Sequence, residues 1–531
     1  MNGHRPISLM RAHPHSRSSI DPSAPGLYPV SGPFENSGTR SLTRKNMRRI
    51  YLDHNATTPV APEVLAAMLP YFSEAYGNAS SIHAFGQIAR GAVERARAAV
   101  AALLGARPNE IVFTSGGTES DNAAIFGSLP TSESIDHDGK IIHVITTTIE
   151  HPAVLHACQE LERRMPVDRS VAVTYVPVGR DGVVYPQDIR RALRPGTRLI
   201  TVMHANNEIG TLQPIAEIGR IAAEAGVRFH TDAVQSAGKV PIDVRKLGVH
   251  LLSLSGHKFG APKGVGALFV RAKTRLEPIL HGGHNERDRR AGTENVAGIV
   301  ALGKAAELAS AHLASSGEAD DNTSHASGAD RIGALRDRLE QGLLARVPGA
   351  RVNGAQVNGG RVLRGGEAPN PARAGEARDT DRAGEARNTG RAGEVRDKER
   401  VPNTSNILFP DVDSEALVIA LDLAGLACSA GAACSAGAVD PSHVLTAIGL
   451  SPAEARGSVR LSLGHTTTDE DIDLALELIP AAVARQREGS ASWAAARRAT
   501  VSVSSERSLP QDLVAGDATV SARGDATSDR R

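Results

Sequence analysis

The fold is decided by a stretch around one lysine, residues 251–258, which read LLSLSGHK. An apolar run typical of a buried strand leads directly into a Ser-Gly-His-Lys turn. A lysine at a strand end is most often a solvated surface charge. In partly apolar surroundings, however, its amine pKa falls, and the amine can form a Schiff base with an aldehyde. Lys258 is therefore the first candidate catalytic residue.

The same pattern of an apolar run followed by polar residues recurs upstream of Lys258. Strand–helix alternation of this kind predicts a mostly parallel sheet covered by helices. In open α/β sheets ligands bind at the carboxyl ends of the strands. The polar residues that follow the strands therefore predict one shared site. The predicted strands lie at 111–114, 144–146, 199–203, 227–229 and 251–254, and helices are predicted near 152–164 and 214–225.

Residues 115–120, SGGTES, follow the first of these strands and open a helix. Two glycines let the backbone approach a ligand closely, and the free amides of a helix start favour an anion such as phosphate. An ordinary glycine turn with Thr118 or Ser120 as the helix cap is the alternative. The segment is not a P-loop, because no Gly-Lys-Ser/Thr follows.

Asp232 follows the preceding predicted strand, 26 residues before Lys258. A carboxylate there could hold a pyridine nitrogen protonated and so make the ring an electron sink. Alone, such an aspartate reads as a loop cap. A phosphate-binding turn, an aspartate and a lysine at successive strand ends are much less expected to occur together by accident than any one of them alone.

Composition narrows the class of protein. The chain has 531 residues, 41% of them apolar, and 60 basic against 59 acidic residues. This balance argues against a broad nucleic-acid or anionic-membrane surface, although a local patch stays open. The sequence has no run of 18 apolar residues, so no membrane-spanning helix is predicted. Three cysteines are too few for a disulfide scaffold and predict a reducing compartment, the cytoplasm.

Segments of low apolar content bound the folded part of the chain. Prolines oppose an amphipathic presequence near the N-terminus, and a charged near-repeat begins Arg-Ala-Gly-Glu at 373, 382 and 391. Such sequences bury too little surface to offset the entropy of ordering. The predicted organisation is a disordered extension (1–46), a large domain (61–308), a small domain (47–60 and 309–480) with a disordered charged insertion at about 356–400, and a mostly disordered tail (481–531).

Seven motifs read YLDHNATTP (51–59), SGGTES (115–120), EH (150–151), ANNEIG (205–210), HTDAVQ (230–235), SGHK (255–258) and RAGTEN (290–295). Together they resemble the cysteine desulfurases, the class V branch of pyridoxal-phosphate aminotransferase-fold enzymes. The resemblance covers about 48–312 and 401–480. It implies a fold type I large domain with a mostly parallel sheet, plus a smaller α+β domain.

The resemblance also implies roles. Lys258 would bind pyridoxal 5′-phosphate covalently, and His151 would stack on the ring and could shuttle a proton. The other implied cofactor ligands are Asp232 at the pyridine nitrogen, Gln235 at the phenolic oxygen, Gly117, Thr118, Ser255 and His257 at the phosphate, Asn207 beside the ring, and Thr293 at the phosphate of a neighbouring subunit, which implies a homodimer. Asn207 and Arg460 would bind the substrate carboxylate, although a lone strand arginine usually has a solvated head.

A pyridoxal-phosphate site alone is compatible with several reactions, and Cys434 discriminates between them. It lies in SAGAACSAG, residues 429–437. A single cysteine is more often a small buried apolar residue, but this run offers little core. A run of small residues is expected to let the thiol move between an interior site and the surface. The stretch resembles the active-site loop of the long-loop desulfurases of iron–sulfur assembly and nitrogen fixation. Cys428 and Cys158 read as structural, with an auxiliary thiol the alternative for Cys428.

The sequence therefore predicts a cysteine desulfurase. It would convert L-cysteine to L-alanine, leave a persulfide on Cys434 and pass the sulfur to an acceptor such as an iron–sulfur scaffold. Selenocysteine lysis, another class V reaction and a scaffold without cofactor are the alternatives. No resident metal is expected, since His281 and His284 lack further close ligands, although Cys434 could transiently share a cluster with a scaffold. Nucleic-acid and membrane partners are not expected.

Overall fold

A computed structural model describes most of the region between residues 48 and 505. The described ranges are 48–129, 141–164, 171–314, 328–355, 357–358, 361–362, 400–430 and 441–505. The predicted N-terminal extension, nearly all of the predicted charged insertion, and Cys434 lie outside these ranges.

The strands of the described residues form two main sheets and two short pairs. Their bounds are β1 (Ile50–Tyr51), β2 (Ile111–Thr114), β3 (Ile142–Thr147), β4 (Val171–Val176), β5 (Thr197–Thr201), β6 (Arg228–Asp232), β7 (Leu251–Ser255), β8 (Gly266–Val270), β9 (Arg351–Val352), β10 (Val357–Asn358), β11 (Arg361–Val362), β12 (Thr404–Leu408), β13 (Leu426–Ala427), β14 (Ser429–Ala430) and β15 (Ser458–Ser462).

The helices of the described residues cover both sheets. Their bounds are α1 (Pro62–Met68), α2 (Pro70–Ser73), α3 (Ala84–Leu104), α4 (Gly117–Gly127), α5 (Pro152–Arg164), α6 (Pro186–Ala192), α7 (Ile215–Glu224), α8 (Val244–Leu247), α9 (Val296–Ala314), α10 (Gly328–Arg346), α11 (Ser414–Leu423), α12 (His443–Ala447), α13 (Pro452–Arg456) and α14 (Asp469–Ser505).

The larger sheet has the strand order β2-β8-β7-β6-β5-β3-β4 in the part of the chain described. The pairs β3–β4, β3–β5, β5–β6 and β6–β7 are parallel, and β8 runs antiparallel to both of its neighbours. The predicted mostly parallel sheet is thus confirmed. Every residue of β7 is buried, which is why its sequence is a near-continuous apolar run. In register, Asp232 lies opposite Ser253, so the ends of β6 and β7 bring Asp232 close to the turn at Lys258.

The smaller sheet has the order β14-β15-β12-β9 and is antiparallel. Arg460 lies at its centre, opposite Asn406 on one side and Ser429 on the other. Helices α10, α11 and α14 pack their apolar faces against this sheet in a cluster distinct from the core of the larger sheet. The domain bounds given above stay a prediction.

An N-terminal segment, residues 50–58, connects the two sheets. Its strand β1 pairs in parallel with β13. A few residues later the Thr58 amide donates to the carbonyl oxygen of His257, in the turn that follows β7. The segment between these two contacts therefore crosses the space between the sheets.

Helix α14 continues to Ser505, so residues 481–505 are helical where the sequence predicts a mostly disordered tail. Val483 is buried in the smaller core, and alanine and arginine favour helix beyond it.

Helix α9 is long and apolar enough to cross a membrane and has a mean hydropathy of 1.3, but half of it is buried. It packs closely on α3, because a Cβ at Gly303 would lie 2.6 Å from Ala96 Cα.

Candidate active site

A cavity of about 250 Å³ lies at the carboxyl ends of the strands of the larger sheet. Most of the site residues that the sequence predicts line this cavity. The predicted residues that line it are Gly117, Thr118, His151, Asn207, Asp232, Gln235, Ser255, His257, Lys258 and Arg460. Two predicted residues are not brought to it. Thr293 is exposed and does not line the cavity, and Cys434 is outside the described residues.

Lys258 is held at the boundary between the two sheets. It ends a short 3-10 turn, Gly256–Lys258, directly after β7. Its Nζ donates to the carbonyl oxygens of Asn55 at 2.6 Å and Ala56 at 2.9 Å. The backbone beneath is tightly packed, since a Cβ on Gly256 would lie 2.9 Å from Ala261 Cβ. The amine is therefore fixed by the segment that connects the sheets.

Asp232 lines the cavity and is buried. Its Oδ1 accepts from the Val234 amide at 2.8 Å. Burial raises the pKa of Asp232 to about 6, while the Val234 hydrogen bond and the Lys258 cation lower it. Burial and the nearby Asp232 charge raise the pKa of Asp121 well above its usual range. The charge of this pair consequently rests on Asp232 at neutral pH.

His151 enters the cavity from the N-terminal side of α5. Its Nδ1 accepts from the Ala153 amide at 3.1 Å. Burial, with a smaller contribution from the nearby Lys258 charge, lowers the pKa of His151 to about 4. The imidazole is thus neutral at pH 7 and carries its proton on Nε2, as a ring nitrogen that accepts cannot also donate.

The turn into α4 has backbone features that suit an anion. Gly117 is its first residue, and a Cβ there would lie 2.6 Å from Val234 Cγ2. Helix starts leave backbone amides available to an anion. Ser255 and His257 line the same cavity, and the Nδ1 of His257 lies 3.1 Å from the hydroxyl of Thr57.

Arg460, from the smaller sheet, lines the cavity as well and is 1% exposed. Its Nη1 donates to the carbonyl oxygen of Asn207 at 3.1 Å, and its Nη2 donates to Asp53 Oδ1 at 2.8 Å. Its buried Nε has no hydrogen-bond partner among the described residues. A guanidinium that lines a cavity is suited to binding a carboxylate, which can pair with two of its N–H groups.

Asn55 was not assigned a role from the sequence, although it lies in the 51–59 motif. Its Nδ2 donates to Asn207 O at 3.1 Å and to Thr404 Oγ1 at 2.8 Å. Its carbonyl oxygen accepts from Gln235 Nε2 at 3.0 Å as well as from Lys258. Asn55 therefore links several residues of the site through hydrogen bonds. Its place in the 51–59 motif was the only sequence signal for this role.

Lys239 was also missed. Its Nζ donates to Gln235 Oε1 at 2.8 Å and to Asn55 Oδ1 at 3.0 Å. Burial, with the charges of Lys258 and Arg460, lowers the pKa of Lys239 well below its usual range. It orients the Gln235 amide so that Nε2 points to Asn55.

The two cysteines of the described residues are both buried. Cys158 is fully buried, and Cys428 is 8% exposed. Burial raises the pKa of Cys428 to about 12, so its thiol stays protonated at neutral pH. Among the described residues no group of three or more His, Cys, Asp or Glu side chains could hold a metal ion.

Together, the mixed sheet and the lysine, the aspartate and the glycine-rich start of α4 at its strand ends are those of the pyridoxal-phosphate enzyme fold of type I. The aminotransferase class-V family model matches residues 50–341 and 385–475. This chain is an enzyme of the aminotransferase class-V family.

Relatives within the family share one activity by name. The chain is 44% identical to "Cysteine desulfurase IscS" of Methanosarcina thermophila over 443 residues, which is 83% of this chain and 94% of that protein. A solved structure titled "NifS-like protein" is 32% identical, with a TM-score of 0.65, over 82% of this chain and 99% of that one. Another, "SspA in complex with cysteine", is 33% identical, with a TM-score of 0.59, over 79% and 100%.

Proposed function

We propose that this chain is a pyridoxal-phosphate-dependent cysteine desulfurase that transfers the sulfur of L-cysteine to Cys434. The observation that carries the proposal is the cavity in which Lys258, Asp232 and His151 face Arg460. It combines an amine, a buried acid and a carboxylate-binding cation. The names of the relatives support the choice among family reactions.

The residues present fit pyridoxal 5′-phosphate. Lys258 supplies an amine for the aldehyde, the α4 start and Ser255 supply donors for the phosphate, and Asp232 supplies a buried carboxylate for the ring nitrogen. When bound, the cofactor supplies an electron-accepting ring next to the substrate α-carbon.

The chain's own groups do the remaining work. Arg460 lines the cavity and binds the substrate carboxylate, and the burial of its guanidinium limits the access of water to this contact. Lys258 takes the α-proton, and neutral His151 can donate the proton on its Nε2. These roles orient the amino acid and move its protons.

The sulfur step belongs to Cys434. Its thiolate attacks the substrate sulfur, an S–S bond forms, and the carbon–sulfur bond breaks with its electron pair retained on carbon, which is then protonated. L-cysteine and a thiol thus give L-alanine and a persulfide. Cys434 follows Ala430 by four residues, which span at most about 14 Å. Strand β14, which ends at Ala430, pairs with β15 beside Arg460.

The partners follow from the same proposal. A protein acceptor such as an iron–sulfur scaffold would take the sulfur, and the cytoplasm would be the compartment. A homodimer would place Thr293 near a second site. Exposed apolar side chains on the segment from α1 to α3 support an interface between copies. These are Leu65, Leu69, Phe72, Tyr76, Ile82, Phe85 and Ile88.

The test is to incubate purified protein with L-cysteine, measure alanine and locate the persulfide by mass spectrometry. We expect an absorbance band at about 420 nm, one alanine per sulfur transferred, and loss of both products in Cys434→Ala. The matched control is Cys428→Ala, which removes a buried thiol and should keep activity. Undiminished alanine from Cys434→Ala, or activity on selenocysteine alone, would refute the proposal.

A further inference from the structure

Two serine hydroxyls flank residues 431–440, one on each side of the segment that contains Cys434. On the N-terminal side Ser429 Oγ donates to Asp53 Oδ1 at 2.8 Å. On the C-terminal side Ser442 Oγ donates to Glu208 Oε2 at 2.6 Å. Both serines are buried, at 9% and 5% exposure. Hydrogen bonds to ionised carboxylates are shorter and stronger than those between neutral groups. Burial raises the pKa of Glu208 to about 7, so Glu208 is only partly ionised at neutral pH.

Each acceptor carboxylate is connected to the wall that would bind the substrate carboxylate. Asp53 Oδ1 also accepts from Arg460 Nη2 at 2.8 Å. Glu208 directly follows Asn207, whose carbonyl oxygen accepts from Arg460 Nη1 at 3.1 Å. Asp53 thus contacts the guanidinium directly, whereas Glu208 is linked to it through the backbone of Asn207.

The surroundings of Glu208 fix its position. Its amide donates to Asn206 Oδ1 at 2.8 Å, and its carbonyl oxygen accepts from Asn406 Nδ2 at 3.3 Å. The next residue after Ser442, His443, places its Nε2 2.9 Å from the carbonyl oxygen of Glu150. This side of the segment is thus attached to the turn that carries Asn207 and to the residue before His151.

We propose that Ser429 and Ser442, through Asp53 and Glu208, are positioning residues that hold both ends of the Cys434 segment at a fixed place relative to Arg460. The inference rests on the proposed function, because it concerns how the Cys434 thiol is delivered to a substrate bound at Arg460. Loosening either end lowers the effective concentration of the thiol at the substrate sulfur but leaves the binding of cysteine intact.

The experiment compares Ser429→Ala, Ser442→Ala and the double variant as full-length protein loaded with pyridoxal phosphate. Each single change should lower kcat for alanine formation about tenfold and leave KM for cysteine within about twofold, and the double change should multiply the losses. Threonine at either position keeps a hydroxyl and should restore kcat.

Ser442 also caps α12 by accepting from the Leu445 amide at 3.2 Å. The control for this cap is Ser451→Ala, which removes the corresponding cap of α13, where Ser451 Oγ accepts from the Glu454 amide at 3.3 Å. The control should lower the melting temperature without lowering kcat.

Three results would overturn the inference: wild-type kcat in the alanine variants, an equal rise of KM, or no rescue by threonine. These leave the proposed function standing, since wild-type protein still makes alanine and the persulfide. If wild-type protein makes neither, the proposed function falls and the positioning role falls with it.

Discussion

Lys258 Nζ lies 2.6 Å from the carbonyl oxygen of Asn55, a residue 203 positions earlier in the chain. The Asn55 side chain places this carbonyl by donating to Asn207 O and Thr404 Oγ1 and by accepting from Lys239 and Asn403. The amine of the larger sheet is therefore held by contacts that reach the smaller sheet.

We expect Asn55→Ala to lower the free energy of unfolding by about 2–3 kcal/mol, because buried partners such as Lys239 and Asn403 lose an acceptor. It should also weaken the absorbance band of bound cofactor. Urea unfolding and absorbance titration measure both effects. Asn78→Ala, which removes an exposed local hydrogen bond to the Ser80 amide, is the control. Equal stability of the two variants would contradict the role of Asn55.

Arg460→Lys keeps the charge but loses the planar fork. Lysine cannot contact Asn207 O and Asp53 and still offer a directed donor for a carboxylate. We expect KM for cysteine to rise at least about tenfold, a loss of about 1.4 kcal/mol in binding, with the cofactor band unchanged. Steady-state kinetics measure this. Arg346→Lys, which alters a contact with Leu476 O far from the cavity, should leave KM unchanged. A wild-type KM in Arg460→Lys would exclude the carboxylate role.

Glu150 makes the stability depend on pH. Burial raises its pKa to about 8 from the ordinary 4.5, while its hydrogen bonds from Thr147 and Met203 lower it. A raised folded-state pKa gives stability that is fully present below the unfolded pKa and is lost as pH rises through the folded pKa. Between pH 5 and pH 8 this loss is about 3 kcal/mol.

Glu150→Gln removes that loss. Its amide oxygen can take the place of Oε1, and its nitrogen the place of Oε2, which has no partner among the described residues. The variant should therefore gain stability relative to wild type as pH rises from 5 to 8. Urea unfolding at several pH values measures the difference. Glu208, whose pKa burial raises to about 7, contributes equally in both proteins and cancels. A difference that does not change with pH would contradict the raised pKa.

The turn before Thr293 depends on a buried ion pair. Glu286 accepts from Arg97 Nη1 at 2.7 Å and Nη2 at 2.8 Å, and from the Phe113 amide at 3.0 Å. Residues 286–288 all have left-handed φ values, between 47° and 63°. Such conformations cost energy and persist only where the surroundings hold them.

We expect Glu286→Gln to cost about 3 kcal/mol, because it removes the buried counter-ion of Arg97 and leaves only the half-exposed Glu94 carboxylate, 3.1 Å from its Nε. Chemical unfolding measures the cost. The matched control is Glu224→Gln in the exposed pair with Arg190, which are 60% and 46% exposed. An exposed pair is worth at most about 1 kcal/mol. Similar losses in the two variants would show that burial of the Arg97 pair does not matter.

Sequence patterns predicted the strand ends well because local chemistry decides them. The apolar β7 followed by Lys258, and the glycines before α4, are local signals, and the structure places both as expected. Asn55 and Lys239 have no comparable signal. Their roles arise from contacts with Thr404 and Gln235, and one sequence does not say which distant residues meet.

In residues 481–505 the sequence predicted too little order, because the structure has a helix there. Polar and alanine-rich composition suggests disorder when taken alone, but residues such as Ile479 and Val483 bury an apolar face that secures the preceding turns. Once a helix is started by packing, propagation costs little. Composition cannot report where that packing occurs.

The chain order of the crossing segment has a consequence for biosynthesis. Residues 50–58 emerge from the ribosome early, yet β1 pairs with a strand that begins at Leu426, and Asn55 bonds to Thr404. Contacts this far apart along the chain form late and slowly. A nascent chain can thus complete most of its larger sheet before the carbonyl oxygens that hold the Lys258 amine are in place. The enzyme acquires its chemistry only when nearly all of it has been translated.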